Sequence, residues 1–446
     1  MPRLIAACLL AAILLAGCAT QQPAAPAQPP AATPPPAVTP PATTYTVPIP
    51  FRSLDQIALV ELRADAPARR ALLRPSTHRT QLQALLESLG SEIALVEGAT
   101  PRFTLSLHPP EPEQPSTYLP VTADLLDRLP ALAALEELMH PVEPGTRLWV
   151  IDPTGVEGEK LVFQHPEPLH LYATSPDGRW WLLVKSLAEY KGDYRAIPYL
   201  YDQSTGELRE GSQRDIRGTV RWSGQGFFIN RLVHMDLAFE EERYPEVREA
   251  LALKPGEREL IDFTTGADGN RFVALVGHPW DDRQPLDLVI GTLDGSSMAI
   301  VHQVMKGVAT QSGVIAHASI SPDGQWLTLA AGEESYLIPT ADGADREAWI
   351  ALQPGQAAEW SPHSRSFVLG GKVYDLTGRP VGSLPQGGIW HPDGERLIDP
   401  GRIYAPSLLV GLDGSSIELN LPDYAWPTGF LPDGRVLAIQ VDYPAP

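Results

Sequence analysis

The stretch SPDGRWWLLV, from Ser175 to Val184, contains the pattern that decides the fold. Proline presets φ at the second position of a type I turn, aspartate tolerates the third, and glycine takes the left-handed conformation that closes a short hairpin. The apolar run from Trp180 to Val184 has the length of a buried strand. The stretch is therefore predicted to be the corner and second strand of a β-hairpin.

The same corner recurs along the chain, which predicts a repeat architecture. Further copies begin at Ser321, His391 and Leu431, and weaker ones lie at Ser361, Trp222 and Asp268. A second turn, such as the one at Asp413-Gly414, follows in several units, so each unit holds about two hairpins. Repeats of about 40 residues with four strands indicate the blades of a β-propeller.

These units resemble the Pro-Asp-Gly repeats of TolB-type β-propellers, over roughly residues 147–446. That resemblance implies a mainly β fold, with a propeller in residues 146–446 and a small α/β domain before it, in residues 51–145. Counting turns gives a seven-bladed propeller, or a six-bladed one if the Trp222 unit is an insertion.

The two ends of the repeat region predict how the ring closes. The chain stops soon after an apolar run at Val436–Val441, which leaves the last unit two strands short. Arg147–Asp152 and Lys160–Phe163 precede the first full unit and supply the missing hairpin. Joining them in one blade removes exposed sheet edges.

The region from Phe51 to Gly145 shows helical as well as strand patterns. Its leucines at 82, 85, 86 and 89 fall on one face of a helix that Gly90 would end. Thr122 is predicted to cap a second helix, which Pro130 would break or kink. Strands are predicted at Gln56–Leu62, Ile93–Val96 and Phe103–Leu107.

The N-terminus is typical of an export signal. Arg3 precedes an apolar run that ends in Leu15-Ala16-Gly17-Cys18, and these four residues resemble the lipobox of bacterial lipoproteins. The resemblance implies a signal peptide in residues 1–18 and acylation of Cys18, which would anchor the chain stably in a membrane. Because Ala19 follows where inner-membrane lipoproteins often carry Asp, we expect the outer membrane, facing the periplasm.

Residues 19–50 are almost entirely Pro, Ala, Thr and Gln. Such a segment cannot bury enough apolar surface to order itself, and its prolines favour an extended polyproline II conformation. We therefore expect a disordered tether between anchor and folded region, extending about 3.1 Å per residue.

Charge and motifs restrict the function. The net charge of -20 argues against binding a nucleic-acid backbone. The only cysteines are Cys8 and Cys18, so no disulfide or cysteine metal site is expected in the folded region. No catalytic serine elbow, zinc-protease motif, phosphate loop or dinucleotide fingerprint occurs, so no catalytic residue, metal or cofactor is predicted.

The best candidate for a site is a set of long loops on the face opposite the corners. The connections after the second strand are long in the first and third units, and Met235–Glu259 is predicted to be a similar insertion in the second, with Pro245 starting a short helix. Loops on a rigid scaffold often carry function, and Trp, Tyr and Arg often anchor interfaces. Unselected loop growth is the alternative. The predicted partner-binding residues are Tyr190, Asp193, Tyr194, Arg195, Trp280, Asp281, Asp282 and Arg283.

Together these patterns predict a lipid-anchored binding or scaffold protein of the cell envelope, with a protein or cell-wall polymer as its partner, and not an enzyme. One alternative is a carbohydrate-active or other propeller enzyme with a site in the central channel. Another, resting on architecture alone, is a factor for outer-membrane assembly.

Overall fold

The computed structural model describes residues 43–65, 67–111, 114–187, 194–216, 220–223, 226–229, 233–243, 245–255, 257–266, 271–278, 285–293, 299–310, 316–331, 334–341, 346–355, 357–384, 388–400 and 406–443. Strands account for 52% of these residues and helices for 10%, so the described part of the chain is mainly β, as predicted. No helix among these residues is both long and apolar enough to cross a membrane.

The N-terminal region combines a five-stranded antiparallel sheet, a two-stranded sheet and three helices. The strands are β1 (Thr44–Pro48), β2 (Leu59–Asp65), β3 (Ala68–Leu73), β4 (Glu92–Val96), β5 (Phe103–His108), β6 (Thr117–Val121) and β7 (His140–Pro141). The helices are α1 (Arg79–Leu89), α2 (Ala123–Arg128) and α3 (Pro130–Glu136). The larger sheet has the order β6-β5-β2-β3-β7, and β1 pairs with β4.

Most local predictions for this region are confirmed. The four leucines of α1 are buried in one core with the sheet, and Gly90 follows the helix with φ +65°. The Thr122 hydroxyl accepts a hydrogen bond from the Leu125 amide at 3.3 Å, capping α2. Pro130 ends that helix and begins α3, because its missing amide hydrogen costs nothing at a first helical position.

One predicted strand is displaced. The strand expected at Gln56–Leu62 starts at Leu59, because Leu54–Gln56 forms a turn of 3₁₀ helix. The Gln56 side chain accepts hydrogen bonds from the amides of Arg52 and Ser53, at 2.6 and 3.3 Å, which holds that turn closed. Side chains that bond to nearby amides compete with strand pairing in this way.

The remaining described residues form seven antiparallel sheets of four or five strands. In six of these sheets the strands are consecutive in the chain. The first of the six, β10 to β13, has a fifth strand, β14, which pairs with β12. The strands are β8 (Gly145–Ile151), β9 (Glu159–His165), β10 (His170–Thr174), β11 (Trp180–Ser186), β12 (Arg195–Asp202), β13 (Glu207–Glu210), β14 (Arg214–Asp215), β15 (Arg221–Ser223), β16 (Gly226–Ile229), β17 (Val233–Asp236), β18 (Glu241–Arg243), β19 (Glu259–Thr265), β20 (Arg271–Gly277), β21 (Pro285–Leu293), β22 (Ala299–Thr310), β23 (His317–Ile320), β24 (Trp326–Ala331), β25 (Glu334–Pro339), β26 (Ile350–Leu352), β27 (Glu359–Trp360), β28 (Ser366–Leu369), β29 (Lys372–Asp375), β30 (Pro380–Ser383), β31 (Ile389–Trp390), β32 (Arg396–Asp399), β33 (Leu408–Gly411), β34 (Ser416–Glu418), β35 (Trp426–Phe430) and β36 (Val436–Asp442).

The seventh sheet joins the two ends of the repeat region. Its order is β35-β36-β8-β9, and β36 pairs with β8 in antiparallel register, with Ile439 opposite Leu148. The predicted pairing of 147–163 with the last strand is therefore confirmed. The closing pair satisfies the backbone of both strands and leaves neither as a free edge.

The sheets follow one another around a closed path. The first strand of each sheet contacts the first strand of the next, from β10 through β15, β19, β23, β27 and β31 to β35, and β36 contacts β10. Apolar side chains fill the space between neighbouring sheets, as where Leu148 shares a buried cluster with Trp181. Antiparallel sheets that stack around a closed path are the architecture of a β-propeller.

The corner turns have the predicted geometry. Gly178 has φ +72° and its amide donates to the Ser175 carbonyl at 2.8 Å, and the Ser175 amide donates to the Trp180 carbonyl at 2.8 Å. In the degraded copy Ser364 takes the glycine position with φ +57°. Corners of neighbouring sheets also contact one another, since the Asp323 amide donates to the Ser364 hydroxyl at 2.9 Å. The corners therefore lie together on one face.

Candidate functional site

The predicted site falls only partly within the described residues. Tyr194 and Arg195 are described. The other predicted residues lie outside: Cys18, Tyr190, Asp193, Trp280, Asp281, Asp282 and Arg283. Tyr194 and Arg195 are therefore the predicted residues whose surroundings the structure shows.

Local backbone bonds fix both ends of the loop that carries these two residues. The Leu187 amide, just after β11, donates to the Arg195 carbonyl at 2.9 Å. The Ile216 amide donates to the Tyr194 carbonyl at 3.0 Å. Strand β14 pairs Asp215 with Arg195, which adds a further strand at this edge. These bonds hold Tyr194 and Arg195 at the end of the sheet opposite its corner turn.

Tyr194 and Arg195 line a cavity of about 350 Å³. Its other described walls are His170 and Tyr172 from β10, Val184 and Ser186 from β11, and Ala196 and Ile216. Cavities of this size lie at the lower end of the range of ligand sites, and they also accept a protruding side chain of a protein.

Tyr172 owes its place in the cavity to a β-bulge. Leu171 pairs with Leu183 and Ala173 pairs with Leu182, so Tyr172 is an extra residue without a partner across the β10–β11 ladder. A bulge bends its strand and redirects the side chain of the extra residue. Tyr172, on the first strand of its sheet, is 44% exposed.

A third tyrosine, 273 positions further along the chain, contacts His170 of the cavity wall. The Tyr443 hydroxyl lies 2.6 Å from His170 Nε2, and which of the two atoms donates depends on the tautomer of the ring. Burial lowers the pKa of His170 below its usual value, which favours the neutral ring that can accept this hydrogen bond. Tyr443 is 58% exposed and Tyr194 47%. We call Tyr172, Tyr194 and Tyr443 the tyrosine cluster.

Sequence reasoning missed two members of this cluster, Tyr172 and Tyr443, and also His170. Tyr172 gave no periodic signal, because it is the extra residue of a bulge in its strand. Tyr443 gave none, because its contact depends on the closing of a ring across 273 positions.

One predicted loop is assigned differently by the structure. Met235–Glu259 was expected after the second strand of its sheet. Instead Met235 lies in β17, Glu241–Arg243 forms β18, and the helix α4 (Pro245–Ala250) lies between β18 and β19. The reason is a turn at Asp236, whose carboxylate accepts hydrogen bonds from the amides of Ala238 and Glu240, both at 2.8 Å. The helix does begin at Pro245, as predicted.

Strand direction places α4 on the tyrosine side of the ring. The corner turn joins the first and second strands of a sheet on one face. The connection between the second and third strands, and the one that leads to the next sheet, therefore both lie on the opposite face.

The chemistry of the described cavity suits recognition. Tyrosine offers a rigid apolar ring with one polar end, and it orders at low entropic cost. Arg195 adds a planar cation that matches carboxylates. Among the described residues, no group of three His, Cys, Asp or Glu side chains could hold a metal ion.

Comparisons of sequence identify no relatives. No protein-family model matches the chain. No curated protein matches it significantly.

Solved structures with similar architecture have low sequence identity to this chain. An oligogalacturonate lyase from Vibrio parahaemolyticus is 12% identical with a TM-score of 0.46, over 67% of this chain and 97% of that one. A proposed TolB from Agrobacterium tumefaciens is 12% identical with a TM-score of 0.35, over 68% and 99%. A proposed 6-phosphogluconolactonase from Bacteroides fragilis is 13% identical with a TM-score of 0.40, over 68% and 97%. The strand pairing, and not these similarities, is the basis for the propeller fold.

Proposed function

We propose that this chain is a lipid-anchored binding protein of the bacterial cell envelope whose propeller holds a protein partner at the tyrosine cluster. Residues 1–18 are its signal peptide and Cys18 carries the lipid. The tether, expected in residues 19–50, ends before β1, because Thr44–Pro48 pairs with β4 and Ile49 belongs to the core of the α/β domain. Residues 146–446 form a closed ring of seven blades. The anchor places the chain at the outer membrane, on its periplasmic side.

The observation that carries this proposal is the clustering of three exposed tyrosines around one cavity. Tyr172 and Tyr194 line it, and Tyr443 is bonded to His170, a third lining residue. Exposed large aromatic side chains are costly to leave in water, and they are the residues that most often dominate binding energy. A surface built from a bulge, a loop and a chain end suits a partner that inserts a side chain among the rings.

Capture of envelope proteins tests the binding role. The purified full-length chain is used as bait in detergent extracts of the native envelope, and captured proteins are quantified by mass spectrometry. Because hot-spot residues contribute about 2 kcal/mol or more, Tyr194→Ala and Tyr172→Ala should each weaken binding of the specific partner about thirtyfold. Tyr118→Ala is the matched control, because Tyr118 is exposed as well, at 58%, but lies on β6 of the N-terminal region. Equal capture by all three variants would reject the tyrosine cluster as the site.

The anchor is tested separately, by fractionation of cells. Wild-type protein should sediment with outer membranes, and the Cys18→Ala variant should not, since loss of the acyl chains removes about 0.8 kcal/mol for every buried methylene. Membrane association that persists in Cys18→Ala would contradict the lipoprotein assignment.

A further inference from the structure

A second and larger cavity, of about 470 Å³, lies where the N-terminal region meets the last two sheets of the ring. One wall is formed by the chain from Ile57 to Glu61 and by Leu72 to Ser76. The opposite wall comes from Pro406 and Ser407 and from the segment from Glu418 to Trp426. Ligand sites often occur at such junctions, and their volumes are typically about 300–1,000 Å³.

The cavity offers one flat aromatic surface. Trp426, the first residue of β35, is 42% exposed, whereas Leu419 and Leu421 beside it are buried. An indole so exposed presents an apolar face with one hydrogen-bond donor at its edge.

The polar groups of the cavity carry both signs of charge. Arg74 contributes a guanidinium that makes no hydrogen bond to a described residue. Glu61 and Glu418 contribute carboxylates. Glu418 lies exposed on β34 and also has no hydrogen bond to a described residue, whereas Glu61 accepts one from the Tyr424 hydroxyl at 3.5 Å. The Ser76 hydroxyl can both donate and accept, whereas the Ser407 hydroxyl donates to the Pro400 carbonyl at 2.7 Å and can still accept.

This set of groups restricts the chemistry of a ligand. A strongly anionic ligand would be repelled by Glu61 and Glu418, whereas the one guanidinium of Arg74 does not outweigh these two carboxylates and so does not exclude a cation. A neutral ligand with many hydroxyls avoids this repulsion and can use groups of both signs, because a hydroxyl donates to a carboxylate and accepts from a guanidinium. Hydrogen bonds with one charged partner are also stronger than neutral ones.

We propose that this cavity is a binding site for a neutral saccharide. One face of a sugar ring, which consists of C–H groups, lies on the Trp426 indole. Its hydroxyls donate to Glu61 and Glu418 and accept from Arg74. This site is separate from the tyrosine cluster, so either can fail without the other.

Calorimetric titration of the full-length chain with trisaccharides of matched size tests the proposal. Cellotriose and chitotriose are the neutral probes, the glucosamine trimer is the cationic probe and trigalacturonate is the anionic probe. We expect at least one neutral trimer to bind at least about tenfold more tightly than the anionic one. Absence of binding by both neutral trimers at millimolar concentration, or tighter binding of a charged trimer, overturns the proposal.

Variants locate the binding. Trp426→Ala should weaken binding of the neutral trimer about tenfold or more. Glu418→Gln, which changes only an exposed side chain, should weaken it severalfold even if Trp426→Ala fails to fold. Tyr172→Ala in the tyrosine cluster is the control and should bind as the wild type does. Binding that Tyr172→Ala removes while Glu418→Gln retains it would overturn the proposed location.

Discussion

The guanidinium carbon of Arg70 lies 3.7 Å from the centroid of the Tyr424 ring, and the same guanidinium donates a hydrogen bond to Asp442. Arg70 belongs to the N-terminal sheet, and Asp442 is the last residue of β36. Arg147 Nη1 from β8 donates to the other oxygen of that carboxylate at 3.1 Å. One buried carboxylate therefore joins the closing strands of the ring to the N-terminal region. We call Arg70, Arg147 and Asp442 the closing clamp.

Removing the charge of the clamp should destabilise the protein. The Asp442 side chain is 2% exposed, whereas those of Arg70 and Arg147 are 21% and 15% exposed. Asp442→Asn weakens the hydrogen bonds that Arg70, Arg147 and Gln440 donate to this carboxylate. We expect the free energy of unfolding to fall by about 1–3 kcal/mol, since water partly compensates the arginines. Urea denaturation of the wild type and the variant measures this decrease in the free energy of unfolding.

The control is Asp65→Asn, because the Asp65 side chain is 91% exposed in its ion pair with Arg63. It should change the free energy of unfolding by less than about 0.5 kcal/mol. A clamp variant as stable as this control would show that the clamp contributes nothing.

Two glycines with the same backbone conformation should respond differently to substitution. Gly178 and Gly206 have φ of +72° and +74°. A Cβ atom on Gly178 would overlap the ring of Pro432 in the neighbouring corner, whereas one on Gly206 would meet nothing within 4 Å. We expect Gly206→Ala to cost about 1 kcal/mol through backbone strain alone, and Gly178→Ala about 3 kcal/mol because of the added clash.

Thermal or urea unfolding of the two glycine variants compares them directly. If both variants lose the same free energy of unfolding, the corners of neighbouring sheets do not touch.

Stability should fall in mild acid because of one buried histidine. His108 is fully buried, its Nδ1 lies 2.8 Å from the Ser116 hydroxyl, and burial lowers its pKa to about 4. An unfolded histidine titrates near 6.5, so between these values the unfolded chain binds a proton that the folded one does not. The free energy of unfolding should therefore decrease by about 2 kcal/mol from pH 7 to pH 5 through this group.

The variant His108→Asn should show a shallower decrease over the same pH range. His170, whose pKa burial also lowers, would contribute the remainder. An unchanged pH dependence in the variant would rule out His108 as the cause.

The features that the sequence predicted are those with local causes. Each corner turn requires a left-handed residue at its fourth position, and the strands after Trp180 and Trp326 follow from short apolar runs. The closing of the ring was predictable because an incomplete last unit and an unassigned first hairpin account for each other.

The features that it did not predict depend on distant contacts or on single side chains. Arg70 and Asp442 are 372 positions apart, and no pattern near either residue links them. The bulge at Tyr172 and the turn at Asp236 each result from one residue that shifts a pairing, which periodicity alone does not detect.

The most direct test of the central claim is photocrosslinking in living cells. A photoreactive phenylalanine analogue replaces Tyr194 in one strain and Tyr118 in another, and crosslinked products are identified by mass spectrometry. If the tyrosine cluster holds a protein partner, position 194 should give a discrete adduct with one envelope protein and position 118 should not. No adduct from position 194, or the same adducts from both positions, would contradict the claim.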